Sequence, residues 1–212
     1  MRIASKEFVI KKMTELMISP KKKYSQNFLV NLDVVKDIVD NLKEENIVEI
    51  GPGLGALSEE ILLRDKNLLA YEIDEEMCEH LEAYFSFYKK FQLIKGDFLK
   101  NKFVLDGEYD VVSNLPYSLT TPIIEKVLLS DNHLHNFVFM VQKEVYSRLK
   151  GTDKKDYSPL TILLDYLGGL DVVTKVNKDQ FIPAPNVDSI VLKIEFNEHF
   201  LSKSKKEFYK FL

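Results

Sequence analysis

The hydrophobic pattern changes period repeatedly along the chain. Short β-branched and aromatic runs at residues 46–50 (NIVEI), 67–73 (NLLAYEI), 91–97 (FQLIKGD), 109–114 (YDVVSN) and 137–141 (FVFMV) read as buried strands. Between them the spacing turns helical over residues 57–64, 75–87 and 122–129. In the last of these Thr121 is expected to cap the helix and Pro122 to take its first position. Alternation of this kind needs right-handed crossovers, and it predicts a doubly wound α/β domain whose mostly parallel sheet is covered on both faces. Two last strands, residues 170–176 (LDVVTKV) and 190–196 (IVLKIEF), have no helix between them, only NKDQFIPAPNVDS. They are expected to form an antiparallel C-terminal hairpin at one end of a sheet that then counts seven strands.

The opening MRIASKEFVIKKMTELMISP has the spacing of a short amphipathic helix that ends before Pro20. The closing NEHFLSKSKKEFYKFL is lysine-rich with near-helical apolar spacing, too little for a second core. A chain of 212 residues, 45% apolar, fits one domain with a small appendage. Its one cysteine, Cys78, forms no internal disulfide, and without a Cys/His cluster it anchors no zinc, so no metal is expected. No apolar run approaches the roughly 18 residues of a membrane span, and no signal-peptide core opens the chain. Glu7 and Glu15 speak against a transit peptide, so a cytoplasmic protein with no membrane partner is expected.

Charge is uneven. Residues 1–31 carry seven Lys/Arg against two Glu, whereas residues 33–110 carry nine against 19 acids, within a total of −4. A basic N-terminal arm containing Lys21, Lys22 and Lys23 is therefore joined to an acidic body, and the net charge does not exclude a nucleic-acid partner.

The first strand leads into VEIGPGLGAL, which sets Gly51, Gly53 and Gly55 where an open α/β sheet turns at its carboxyl edge. The loop also satisfies a dinucleotide fingerprint, with Glu72 near the offset of a ribose-binding acid, so NAD stays open on this loop alone. Glu49, Glu72 and Asp97 all fall near strand ends at that edge and would repel a pyrophosphate. S-adenosylmethionine suits them better, since it has no phosphate, carries a sulfonium and an ammonium, and offers hydroxyl and amino donors.

The fourth strand delivers SNLPYSLTTP to the same edge. The exocyclic amine of adenine is a poor nucleophile because its lone pair is delocalised into the ring. The Asn114 side-chain oxygen and the Leu115 carbonyl form an acceptor pair able to localise that lone pair toward a methyl donor. Pro116 holds Leu115 out of the helical region and aims its carbonyl. Tyr117 offers a ring on which an extruded base can stack, worth about 1–3 kcal/mol. His80, His133, His135 and His199 are scattered and read as structural or surface groups.

Taken in order, YSQNFL (24–29), VEIGPGLGAL (48–57), YEID (71–74), GD (96–97), NLPY (114–117), MVQKEVYSRL (140–149) and FIPAPNVDS (181–189) resemble the KsgA-type ribosomal RNA adenine dimethyltransferases over residues 21–196. The resemblance implies a Rossmann-like fold, S-adenosylmethionine as donor, and N6,N6-dimethylation of two adjacent adenines near the 3′ end of small-subunit rRNA during ribosome maturation. It implies that Asn27 and Leu29 reach the donor from the arm, with Gly51 at its methionine end, Glu72 on its ribose and Asp97 on its adenine, and Gly53 also among the donor-binding residues. Asn114 then lies between donor and target base, and Tyr117 and Phe181 clamp the flipped adenine. On this reading residues 1–31 are the basic arm, 32–196 the methyltransferase domain, and 197–212 the start of a C-terminal helical domain that is largely missing. A monomer acting on the pre-ribosomal particle is expected. Two competitors are a non-catalytic RNA-binding assembly factor on the same fold and a large-subunit rRNA methyltransferase conferring macrolide resistance; Leu115 and PNVDS favour the small-subunit enzyme.

Overall fold

The computed structural model describes residues 1–16, 26–152 and 158–212, with the backbone alone at Tyr117. Lys21, Lys22 and Lys23 of the basic arm lie outside the described residues. In chain order the elements are α1 (Lys6–Glu15), β1 (Phe28–Leu29), α2 (Leu32–Asp40), β2 (Asn46–Ile50), α3 (Ala56–Leu63), β3 (Asn67–Glu72), α4 (Glu75–Tyr84), β4 (Phe91–Lys95) and β5 (Glu108–Asn114). They continue with α5 (Thr120–Leu128), β6 (His133–Gln142), α6 (Lys143–Lys150), α7 (Pro159–Leu167), β7 (Asp171–Val176), β8 (Phe181–Ile182), β9 (Ser189–Glu195) and α8 (Lys205–Phe211).

Seven strands make one sheet in the order β4-β3-β2-β5-β6-β9-β7. Only β9 is reversed, running against both β6 and β7, so the expected terminal hairpin is present with β7 on the edge. Alternation along each strand divides the core in two. Val112, Val138 and Val191 face α1 to α4, together with Val35, Ile38 and Phe85. Val111, Phe137, Phe139 and Leu192 face α5 and α7, together with Ile124 and Leu163. Each such side chain contributes about 1.5–3 kcal/mol by leaving water, so the sheet's position is fixed from both sides.

The start of α5 departs from expectation. Thr121 does not cap it; the helix begins at Thr120, continuing a 3-10 turn over Tyr117–Leu119, and its N-cap Leu119 gives no side-chain bond. Pro122 falls third in the helix, where its missing N–H is still an orphan of the first turn and costs no hydrogen bond. Thr120 instead anchors the turn, its hydroxyl donating to the Pro116 carbonyl at 3.3 Å. The helix expected over residues 75–87 ends at Tyr84, because Phe85 packs into the core and Tyr88 N–H bonds back to the Phe85 carbonyl at 2.9 Å.

The N-terminal residues are part of this core. Ile3, Phe8 and Val9 are buried. Arg2 reaches Glu59 on α3 at 2.7 Å and also Glu60, and the Ile3 N–H donates to Glu59 at 3.0 Å. A second, two-stranded sheet pairs Phe28 with Ile182 and Leu29 with Phe181.

Candidate active site

Strands β2, β3 and β5 end side by side at the carboxyl edge, and the loops leaving them enclose a cleft of about 230 Å³. Gly51 and Gly55 both adopt positive φ, 72° and 92°, yet make room for different things. A Cβ on Gly51 would meet nothing within 4 Å, so this position keeps one wall of the cleft open. A Cβ on Gly55 would lie 2.8 Å from the Phe85 ring and 3.1 Å from Leu81, so this glycine lets α3 begin hard against α4.

Two carboxyls occupy the cleft. Glu72 ends β3, buried, with Oε2 accepting the Gly53 N–H at 3.0 Å and Oε1 accepting those of Ile73 and Asp74 at 2.9 Å. A carboxylate offers about four acceptor sites, so about one remains for a ligand hydroxyl. Burial raises the Glu72 pKa above the ordinary carboxylate value despite these bonds. Glu49, on β2, is also buried, and its Oε2 accepts the Ser58 hydroxyl at 2.5 Å. Burial pushes it up to about 8; the Ser58 bond opposes the shift and the Glu72 charge adds to it.

Asn114 is the last residue of β5. Its Nδ2 donates to the Asn27 carbonyl at 3.3 Å, which ties the strand end to the N-terminal arm. The Leu115 N–H is held by the Met140 carbonyl at 3.1 Å, and Pro116 stays extended at φ −62°, ψ 127° before the turn. The arm is fixed in turn by Gln26, which donates to Asp74 at 2.9 Å, and by the pairing of β1 with β8.

Of the residues singled out from sequence, Asn27, Leu29, Gly51 and Gly53 line this one cleft with Glu72, Asn114, Leu115 and Pro116. The backbone of Tyr117 starts the turn on its rim, beside Leu119, which also lines it. Two residues stand apart. Asp97 lies two positions past β4 and is not on the cleft wall; its Oδ1 accepts the Leu99 N–H at 2.9 Å and its Oδ2 faces Lys100 at 3.8 Å. Phe181 is 3% exposed and packs in the core opposite Leu29. Sequence reading missed the apolar wall, to which Ile3 and Val9 contribute with Phe28, Leu54 and Leu57. The amphipathic spacing of α1 signals a packed helix, but nothing local says what it packs on. At the opposite edge of the sheet Glu44, Glu108 and His135 lie together, the His135 ring nitrogens 3.7 Å from Glu44 and 3.6 Å from Glu108.

The donor set suits a cationic nucleoside without phosphate. Two buried carboxyls, an open glycine wall and an apolar lining accommodate S-adenosylmethionine, while the lining, among the described residues, offers no basic side chain to hold a pyrophosphate. An open sheet with this loop and this turn at its carboxyl edge is a Rossmann-like, S-adenosylmethionine-dependent methyltransferase fold. A solved dimethyladenosine transferase from Plasmodium falciparum matches it with a TM-score of 0.77 at 26% identity, over 87% of this chain and 69% of that one.

The family model for ribosomal RNA adenine dimethylase matches residues 17–212. Ribosomal RNA small subunit methyltransferase A of Aster yellows witches'-broom phytoplasma (strain AYWB) is 35% identical over 203 residues, covering 91% of this chain and 75% of the relative. The protein of the same name from Clostridium botulinum (strain Kyoto / Type A2) is 37% identical over 182 residues, covering 82% of this chain and 66% of the relative. The chain thus belongs to the ribosomal RNA adenine dimethylase family, in its KsgA-type branch. No helix among the described residues is long and apolar enough to cross a membrane.

Proposed function

We propose that this chain transfers methyl groups from S-adenosylmethionine to the N6 amines of two adjacent adenines near the 3′ end of small-subunit rRNA, two to each base, within the pre-ribosomal particle. The observation that carries the proposal is the meeting of the Asn114-Leu115-Pro116 turn with Asn27, Glu72 and the glycine loop on one cleft. The bound donor supplies an electrophilic methyl group. The Asn114 Oδ1, which has no hydrogen-bond partner among the described residues, and the Leu115 carbonyl accept the two amine hydrogens and localise the lone pair on nitrogen. Pro116 sets the direction of that carbonyl. No strong base is required, because the methylated amine loses its proton readily to water.

In this reading Asn27 and Leu29 hold the donor from the arm side, Gly51 and Gly53 flank its methionine end, and Glu72 accepts from its ribose. Asp97 takes the donor's adenine amine, and Tyr117 stacks on the target base. Phe181 joins the clamp once the β1·β8 pair uncovers its ring. Lys21, Lys22 and Lys23 of the arm, residues 1–31, contact RNA phosphates, so binding weakens steeply with salt. Residues 32–196 carry the chemistry and residues 197–212 open the helical region beyond it. The protein acts as a cytoplasmic monomer without a metal.

The test is incubation of the protein with labelled donor and under-methylated small subunits, followed by nucleoside analysis. Dimethyladenosine is expected, with a loss of about 10²-fold or more in Asn114→Ala, the scale on which one preorganised polar group acts in a transition state. Donor binding without product would overturn the proposal and leave a non-catalytic assembly factor; product on large-subunit rRNA alone would redirect it.

A further inference from the structure

We propose that Glu49 is the charge-sensing residue of the cleft: a neutral acid in the free protein, it releases its proton to solvent when the cationic donor enters, which favours donor over demethylated product. The inference rests on the reading of S-adenosylmethionine as donor. Glu49 is 1% exposed and lines the cleft. Its Oε2 takes the Ser58 hydroxyl, while Oε1 has no hydrogen-bond partner among the described residues.

The groups around it supply no counter-charge. From α3 come Ser58 and the pair Glu59 and Glu60, both bound to Arg2. From β3 comes Glu72, whose charge acts against ionisation. The end of β5 brings Asn114, the arm brings Gln26 and Asn27, and the N-terminal segment brings Ile3 and Val9, all without charge. Among the described residues no lysine, arginine or histidine forms an ion pair with Glu49. A carboxyl so placed stays protonated until a cation arrives.

The donor is that cation. With its sulfonium, ammonium and carboxylate it carries a net charge of about +1, and the product, a thioether, carries about zero. Binding then balances as neutral acid plus donor giving carboxylate–donor pair plus one proton in solution. With Glu49 titrating at about 8 in the free protein, about a tenth is ionised at pH 7 and about half at pH 8, so affinity for the donor relative to the product should rise by up to about fivefold between them. The product, which lacks the sulfonium, should gain less. The ammonium common to both ligands titrates in the same range and cancels in the comparison.

Calorimetric titration of the full chain in two buffers of different ionisation enthalpy at pH 7 counts the protons. S-adenosylmethionine is expected to release more protons than S-adenosylhomocysteine, and Glu49→Gln to remove the difference and flatten the pH profile of the donor-to-product affinity ratio. Ser58→Ala, which deletes the bond favouring the ionised form, keeps the test alive if Glu49→Gln does not fold, and should move the midpoint of the profile upward. Equal proton release by both ligands in the unaltered protein overturns the inference and leaves the proposed function standing. Failure of both ligands to bind overturns the proposed function itself.

Discussion

Replacing Gly51 and Gly55 by alanine, one at a time, separates folding from binding within a single loop. Each sits at positive φ, so each L-residue costs about 1–2 kcal/mol of backbone strain. At Gly51 that is the whole stability cost, because the new methyl meets no atom within 4 Å. At Gly55 the methyl arrives 2.8 Å from the ring of Phe85, itself 1% exposed and wedged between Leu81 and the neighbouring aromatics, which adds about 1–3 kcal/mol of overpacking. A domain of this size loses about 2–4 °C of Tm per kcal/mol, so Gly55→Ala should melt about 10 °C lower and Gly51→Ala about 4 °C lower. Binding should rank the other way. The Gly51 methyl stands in the cleft and should weaken the donor about tenfold or more, which is about 1.4 kcal/mol. Thermal unfolding and donor titration, each run at a temperature where both variants are folded, read the two effects. Equal losses of Tm, or weaker donor binding in Gly55→Ala than in Gly51→Ala, would refute the division of labour between these glycines.

Arg2→Ala should release the N-terminal segment, since it strips the guanidinium from Glu59 and from one side of Glu60, at a local cost of about 1–3 kcal/mol. Faster proteolysis within residues 1–16, and a few-fold loss of donor affinity through the Ile3 and Val9 wall, are the expected readouts; an unchanged digestion pattern contradicts the docking described. Cys78 is buried, donates to the Glu72 carbonyl at 3.4 Å, and has its thiol pushed by burial up to about 11. A disulfide reagent at pH 8 should therefore modify it only as fast as α4 opens, and rapid reaction of the native protein would show that α4 packs loosely.

The sheet was readable because its central strands are continuous apolar runs between turn signals, and the side-by-side exit of β2, β3 and β5 follows from the βα alternation. The pattern alone places Glu49, Glu72, the glycines and Asn114 at one edge. The start of α5 was misread because Thr121-Pro122 carries the local signature of a cap and first position, whereas the 3-10 turn before it had already set the helix going. The placements of Asp97 and Phe181 were not legible in the same way. Each depends on where a short segment packs: Asp97 on the loop that Lys126 clamps through the Phe98, Leu99 and Asn101 carbonyls at 2.5–3.1 Å, Phe181 on a two-residue strand paired across the chain. Such contacts are long-range and leave no periodic trace, and the same holds for Ile3 and Val9.

The pairing of Leu29 with Phe181 bears on how the protein is made. Residues that wall the cleft on the arm side leave the ribosome about 150 residues before their partner strand, the span from Leu29 to Phe181. At about 5–20 residues per second the arm waits on the order of ten seconds, and closing so long a loop then costs additional chain entropy. The interior strand β9 is later still, so neither the sheet nor the cleft is complete until Glu195 is out. A nascent copy thus has no complete donor site until both β8 and β9 have left the ribosome.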